Sequence, residues 1–284
     1  MSPFQDKVAI VTGAGSGIGC ALTQEMARRG ARVILADVDA GPIEEAAHTL
    51  TRAGHHSEAF VVDVSDYHAV KKMVVDTMDR YGRLDYLFNN AGIAVGGEVR
   101  DCSIEDFQHV INVNLLGVIN GVSAAYPLMV RQGYGHIVNT ASLEGLIPYP
   151  ATVSYVASKY GVVGLSNALR IEGADLGVKV SVVCPGYIKT PIFKTCKLIK
   201  IDRDKMLRAL PERFGITPEA CAQIILHGVQ QNKAIIVVTR FAKFLWALQR
   251  VSPALIRWMM CRNIRKYRRE MRVEDPVAPQ RASL

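Results

Sequence analysis

Cysteine is sparse in the 284 residues and follows no binding pattern. Cys20, Cys102, Cys184, Cys196, Cys221 and Cys261 include no Cys-x-x-Cys pair and no His-rich partner segment. Neither a zinc site nor a disulfide framework is expected, and free thiols in a reducing, cytoplasmic compartment fit better. Long apolar runs are missing as well: none approaches the roughly 18 to 20 residues that cross a bilayer. The first residues are not expected to be a signal peptide, because the apolar run 8–11 leads into glycines rather than a cleavage site. Repeats and low-complexity segments are absent.

An excess of one charge is missing from most of the chain. The formal net charge is +8, yet residues 240–272 alone hold ten Lys/Arg against one acid, Glu270, a local net of +9. The other 251 residues carry 24 basic and 25 acidic side chains, a net of −1. A neutral body argues against nucleic acid as a partner and moves the question of partners to the C-terminal segment.

What the chain does contain is alternation. Short β-branched runs at 8–11, 31–36, 59–62, 84–88, 136–139, 179–183 and 234–238 are separated by helical patterns such as 20–29, 69–81 and 155–176. Strands that are apolar throughout belong to a parallel sheet covered on both faces. The expectation is an α/β fold: a single Rossmann-type doubly wound domain over 1–239 with a seven-stranded parallel sheet, followed by a basic amphipathic helical extension over 240–284.

After the first strand comes Thr12-Gly13-Ala14-Gly15-Ser16-Gly17-Ile18-Gly19. Such a loop permits a tight turn and lets backbone N–H groups approach a pyrophosphate at a helix N-terminus. Gly-x-Gly-x-x-Gly does not fit, because Ile18 stands at the third glycine; Thr-Gly-x-x-x-Gly-Ile-Gly does. On this motif the sequence resembles the short-chain dehydrogenase/reductase family over about residues 5 to 239. Asp37, which ends the second strand, would accept hydrogen bonds from a ribose 2′-hydroxyl and repel a 2′-phosphate, favouring NAD over NADP. Ser16 stands where NADP-preferring relatives often carry Arg or Lys. The resemblance further implies an adenine-side pair, Asp63-Val64, and a sheet-bracing element that borders the cofactor, Asn89-Asn90-Ala91-Gly92. Asn89 reads equally well as purely structural.

Tyr155 and Lys159 are four residues apart in a helical pattern, which puts both side chains on one face. A phenol ordinarily titrates near pH ~10, and a neighbouring ammonium brings it toward a useful range. Ser142 lies thirteen residues upstream at a strand end, and Asn114 opens a further helix pattern. By resemblance, Tyr155 exchanges the proton and Ser142 binds the substrate oxygen. Lys159 then orients the ribose, and Asn114 holds a water leading to solvent. Cys184-Pro185-Gly186-Tyr187-Ile188-Lys189-Thr190-Pro191 resembles the loop whose Ile188 backbone and Thr190 hydroxyl meet the nicotinamide and pyrophosphate, with Pro185-Gly186 as its turn. No metal is implied.

Residues 193–215 occupy the place of a variable lid, and Leu146-Ile147-Pro148-Tyr149-Pro150 adds an apolar wall. An apolar substrate is expected: a steroid, retinoid or lipid-derived alcohol. The alternatives are an NADP-dependent carbonyl reductase and a non-enzymatic dinucleotide sensor or scaffold. In the extension, Phe241, Phe244, Leu245 and Leu248, then Leu255, Ile256, Met259, Met260, Ile264, Tyr267 and Met271, recur at helical spacing, with arginines largely on the other face. Ser252-Pro253 separates two helices. The stretch 241–272 suits a membrane surface, packing on the parent fold or another subunit, or an acidic partner. A homodimer through the Asn114 and Tyr155 helices is expected, with a tetramer as the alternative.

Overall fold

The computed structural model describes residues 2–273. The expected extension to 284 therefore lies outside the described residues from position 274 onward. The strands are β1 (Val8–Thr12), β2 (Arg32–Asp37), β3 (Ser57–Val61), β4 (Tyr86–Asn89), β5 (Val95–Gly96), β6 (Gly135–Thr140), β7 (Val178–Cys184), β8 (Lys197–Leu198) and β9 (Ile235–Val237). The helices are α1 (Gly17–Arg28), α2 (Ala40–Arg52), α3 (Tyr67–Tyr81), α4 (Ile104–Ile111), α5 (Gly117–Gln132) and α6 (Val153–Glu172). After them come α7 (Ile192–Thr195), α8 (Arg203–Arg208), α9 (Pro218–Gln230), α10 (Arg240–Val251) and α11 (Pro253–Glu270).

Seven strands form one all-parallel sheet in the order β3-β2-β1-β4-β6-β7-β9. Each of the seven begins and ends within two residues of its expected range. Alternate residues of each strand feed opposite faces, as the pleat requires. Val8, Ile10, Ile34, Leu87, Ile137, Val180 and Val182 pack beneath α3, α5 and α6 through Met73, Val118, Val122, Met129 and Val162. Ala9, Val11, Leu35, Phe88, Val138 and Val183 pack against α1, α2 and α9 through Leu22, Met26, Ile43, Ile225 and Leu226. Each fully buried Leu, Ile or Phe of this kind contributes about 1.5–3 kcal/mol. Strand order reverses between β1 and β4, where ligands bind open α/β sheets.

Three local features differ from the sequence expectation. Asn114 does not open a helix: it lies in a π-helical turn, Asn112–Leu116, joining α4 to α5. The resulting run Ile104–Gln132 is long and apolar enough to cross a membrane, but its Val110, Val118, Val122, Ala125 and Met129 are buried in the domain core. The helix bearing Tyr155 ends at Glu172 rather than 176, because the chain turns through Gly177 at φ +77° before entering β7. β5 pairs with β8, which lies within the 193–215 segment, in a separate two-stranded sheet. Two-residue strands are too short to leave a period in the sequence.

The extension forms two helices where expected. Thr239 caps α10, and Ser252 with Pro253 starts α11. Leu245 and Ile256 are buried against Ile147, with Leu143, Leu248, Met259 and Met260 around them. The expected solvent face is only partly so. Arg268 and Arg272 turn inward to Glu98, and Arg272 also meets Asp101 at 2.6 Å. The segment after α11 then joins the lid, with Asp202 N–H donating to the Met271 carbonyl and Val273 N–H to that of Lys200.

Candidate active site

The glycine loop is shaped by contacts that side chains would obstruct. Gly13 has φ +67°, and a methyl there would stand 2.8 Å from the Ala91 Cα. At Gly19 it would lie 2.0 Å from the Gly13 carbonyl oxygen. The same approach ties the loop to β4. Thr12 Oγ1 accepts hydrogen bonds from the Asn90 and Ala91 N–H groups, and Asn90 Nδ2 donates to the Thr12 carbonyl. Ser16 holds the N-cap position of α1 without a capping hydrogen bond from its side chain, and Ile18 packs on the core beside it. The first N–H groups of that helix are thus left for an anionic ligand, as a dinucleotide pyrophosphate needs. On the other wall, Thr190 lies over Gly17, where a methyl would meet its Cγ2 at 3.1 Å.

Asp37 ends β2 with its carboxylate against the loop. Gly15 N–H donates to Oδ2 at 2.8 Å and Asp39 N–H to Oδ1 at 3.2 Å. Asp63 is exposed just beyond β3 and accepts from the Ser65 N–H and hydroxyl. Val64 is buried, and its carbonyl accepts from Asn120. Asn89 has the structural role: it donates to Asn139, which in turn donates to Ser166, joining β4, β6 and α6 inside the core. A pyrophosphate cradle at a helix start and a carboxylate at the end of the next strand fit a dinucleotide.

Ser142 follows β6 by two residues. Leu143 N–H donates to the Pro185 carbonyl, which fixes the turn beside the Pro185-Gly186 loop. Gly186 itself packs against the start of α10, where a methyl would stand 2.3 Å from Thr239 Oγ1. Ile188 is buried and pairs in register with Ile216. One turn of α6 separates Tyr155 from Lys159, and the ammonium lies 5.4 Å from the phenol ring centre. The ammonium donates a hydrogen bond to the Thr140 carbonyl at 2.9 Å. Burial lowers the Lys159 pKa to about 8.

The Tyr155 phenol is not lowered in this state. Burial first, and the Glu144 carboxylate second, hold it above the usual phenol range, while a hydrogen bond with Ser142 pulls the other way. Asn114 is fully buried, accepting from the Ile93 N–H and donating to the Ile93 carbonyl and Ser158 Oγ. Both carboxamide N–H groups are thus used by protein partners, and Oδ1 holds the Ile93 N–H. A methyl at Gly92 would stand 3.3 Å from both Asn114 Oδ1 and Lys159 Nζ, so Gly92 lets the two converge.

Glu144 was not singled out from the sequence. Its N–H donates to Ser142 Oγ, its Oε2 accepts from Thr152, and burial raises its pKa to about 7. A single acid in a loop usually reads as solvated; the flanking Leu143, Leu146 and Ile147 are the signal that marks this one as enclosed. Tyr149 links the same turn to the extension, its hydroxyl accepting from Asn263 of α11.

Comparison with known proteins agrees with this geometry. The short chain dehydrogenase family profile matches residues 7–198. SadH of Mycobacterium tuberculosis is 34% identical over 271 residues, 94% of this chain and 98% of its own length. The 3-oxoacyl-acyl-carrier-protein reductase FabG of Thermotoga maritima is 38% identical over 224 residues, 78% of this chain and 90% of the relative. A solved short-chain dehydrogenase/reductase from Burkholderia phymatum, in complex with NAD, superposes with a TM-score of 0.82 at 30% identity, covering 90% of this chain and 96% of that one. The chain belongs to the short chain dehydrogenase family and is an NAD(P)-dependent oxidoreductase of alcohol and carbonyl groups.

Proposed function

We propose that the protein oxidises an apolar primary or secondary alcohol with NAD rather than NADP, using Tyr155 as the proton acceptor. The observation that carries this reading is the convergence of Ser142, Tyr155 and Lys159 beside a glycine loop against which the Asp37 carboxylate is held at 2.8 Å. Gly13 to Gly19, Asp37, Asp63-Val64, Asn90 to Gly92, and Pro185 to Thr190 would hold the dinucleotide. A bound oxidised nicotinamide would supply the acceptor for the carbinol hydride and a positive charge that favours phenolate.

The protein's own groups do the rest. Ser142 donates to the substrate oxygen and fixes the carbinol facing Tyr155. Tyr155 takes the hydroxyl proton as the carbon–oxygen double bond forms. Lys159, positively charged at neutral pH, holds the ribose side of the site, and Asn114 fixes the Ile93 turn and Ser158 behind it. Leu143, Met259 and Met260, only partly buried around the contact of Ile147 with Ile256 near Ser142, support a steroid, retinoid or lipid-derived alcohol.

Exposed Ile104, Leu116 and Tyr160 on the Asn114 and Tyr155 helices support a homodimer through that face. Six free cysteines support a reducing, cytoplasmic setting. The test is a screen of NAD⁺ reduction over steroid, retinoid, fatty and short-chain alcohols. Turnover is expected with the apolar classes; turnover confined to short-chain alcohols, or requiring NADP⁺, would overturn the reading.

A further inference from the structure

We propose that the outward face of α10 and α11 docks on an anionic lipid bilayer. The inward face is fully occupied. Leu245 and Ile256 are buried, and Arg268 and Arg272 are paired with Glu98 and Asp101. The fold therefore has no need of the apolar side chains on the other side.

Those side chains are large and open to solvent. Val251 is 85% exposed at the corner between the helices, with Phe244 at 60%, Trp258 at 58% and Leu255 at 42%. Exposed cations interleave with them: Arg240, Lys243, Arg250, Arg257, Arg262 and Arg265. Arg262 stands 5.9 Å over the Trp258 ring. Within 240–272 the single acid, Glu270, is paired with Lys266 at 3.7 Å.

Charge and chemistry together select the occupant. A second copy of this chain, joined about a two-fold axis, would lay the exposed cations Arg240, Lys243, Arg250, Arg257, Arg262 and Arg265 of one copy on those of the other. A nucleic acid would satisfy the cations and leave Val251 and Leu255 with nothing to stack on. A bilayer bearing acidic headgroups serves both sets, placing the aromatic and aliphatic groups at the acyl boundary and the Lys/Arg groups among phosphates. The docked face is also continuous with the lid, because Phe241 of α10 stacks on Phe214 at 4.7 Å. The proposal stands independently of the substrate reading.

Flotation of the full chain tests it, with vesicles of phosphatidylcholine alone and of phosphatidylcholine mixed with phosphatidylserine. The full chain is expected to float with the mixed vesicles, to remain behind with the neutral ones, and to be released by added salt. Two variants are compared, the double substitution Leu255→Ser with Trp258→Ser and the triple Arg250→Gln, Arg257→Gln, Arg262→Gln. Each should cut the bound fraction about tenfold while NADH binding and thermal melting stay as in the parent. A full chain that never floats, or variants that float as the parent does, would overturn the proposal. So would loss of self-association in the Leu255/Trp258 variant without any flotation of the parent, which would make this face an interface between copies.

Discussion

Lys159 lies one helical turn from Tyr155 with its ammonium 5.4 Å from the ring centre, and that ammonium donates a hydrogen bond to the Thr140 carbonyl. The lysine thereby ties α6 to the end of β6, and the phenol is governed by other neighbours. Burial and Glu144 raise it, while Ser142 lowers it. In the sequence, Tyr155 and Lys159 suggest a simple pair; in the structure they belong to a four-residue electrostatic unit.

Glu144 should therefore show in the pH profile. Its carboxyl titrates at about 7, so above that pH its anion opposes formation of phenolate at Tyr155. Glu144→Gln keeps an oxygen for the Thr152 hydroxyl and removes the charge. The rise of kcat/KM with pH should move about one unit toward acid. An unmoved profile would remove Glu144 from the proton chemistry.

The proposed preference for NAD over NADP rests on Asp37. In Asp37→Asn the charge that repels a 2′-phosphate is lost, and the acceptor for Gly15 N–H weakens. NADH affinity should fall about tenfold and NADPH affinity should rise, each read by fluorescence titration. Unchanged affinity for both would separate Asp37 from the ribose.

How far the sequence alone reaches depends on whether a feature is local. Strands such as Val8–Thr12, buried at every position, and the loop from Gly13 to Gly19 are local patterns, visible as apolar runs and glycine spacing. So is the turn of helix between Tyr155 and Lys159. Features set by long-range partners were not visible. Arg272 resembles its exposed neighbours until Glu98 and Asp101, more than 170 residues earlier, are brought beneath it. The π-helical turn at Asn114 likewise has no sequence period of its own. It accompanies a pairing of that side chain with Ile93 and Ser158 that no helix pattern anticipates.

Arg272 is the inward clasp of the extension, its side chain 9% exposed. Arg272→Gln leaves the buried Glu98 and Asp101 carboxylates with fewer counter-charges and loosens the lid strand that pairs at Ile201. The melting temperature should fall by about 5 °C. KM for the alcohol should rise with kcat little changed, and Arg272→Lys should recover part of both. Melting and KM equal to the parent's would leave the clasp without a role.

His136 sets an acid limit on stability. It is buried beside Ser181, and since the Ser181 hydroxyl donates to the Lys233 carbonyl, the Nε2–H of His136 donates to Ser181. Burial lowers its pKa to about 3, so the unfolded chain binds the proton first as pH falls below the ordinary 6.5. Stability from this group is complete above pH 6.5 and is lost toward pH 3, about 2 kcal/mol of it by pH 5. Urea midpoints at pH 7 and pH 5 should differ less in His136→Gln than in the parent. Equal differences would assign the acid loss to other groups.

The central claim is that Tyr155 moves the proton, and Tyr155→Phe tests it most directly when turnover and NADH binding are measured on one preparation. The phenyl ring keeps the packing of α6 and lacks the hydroxyl that exchanges the proton and bonds Ser142. NADH should bind as in the parent while kcat for alcohol oxidation falls about a thousandfold. A variant that binds NADH and oxidises the alcohol at near the parental rate would contradict the account.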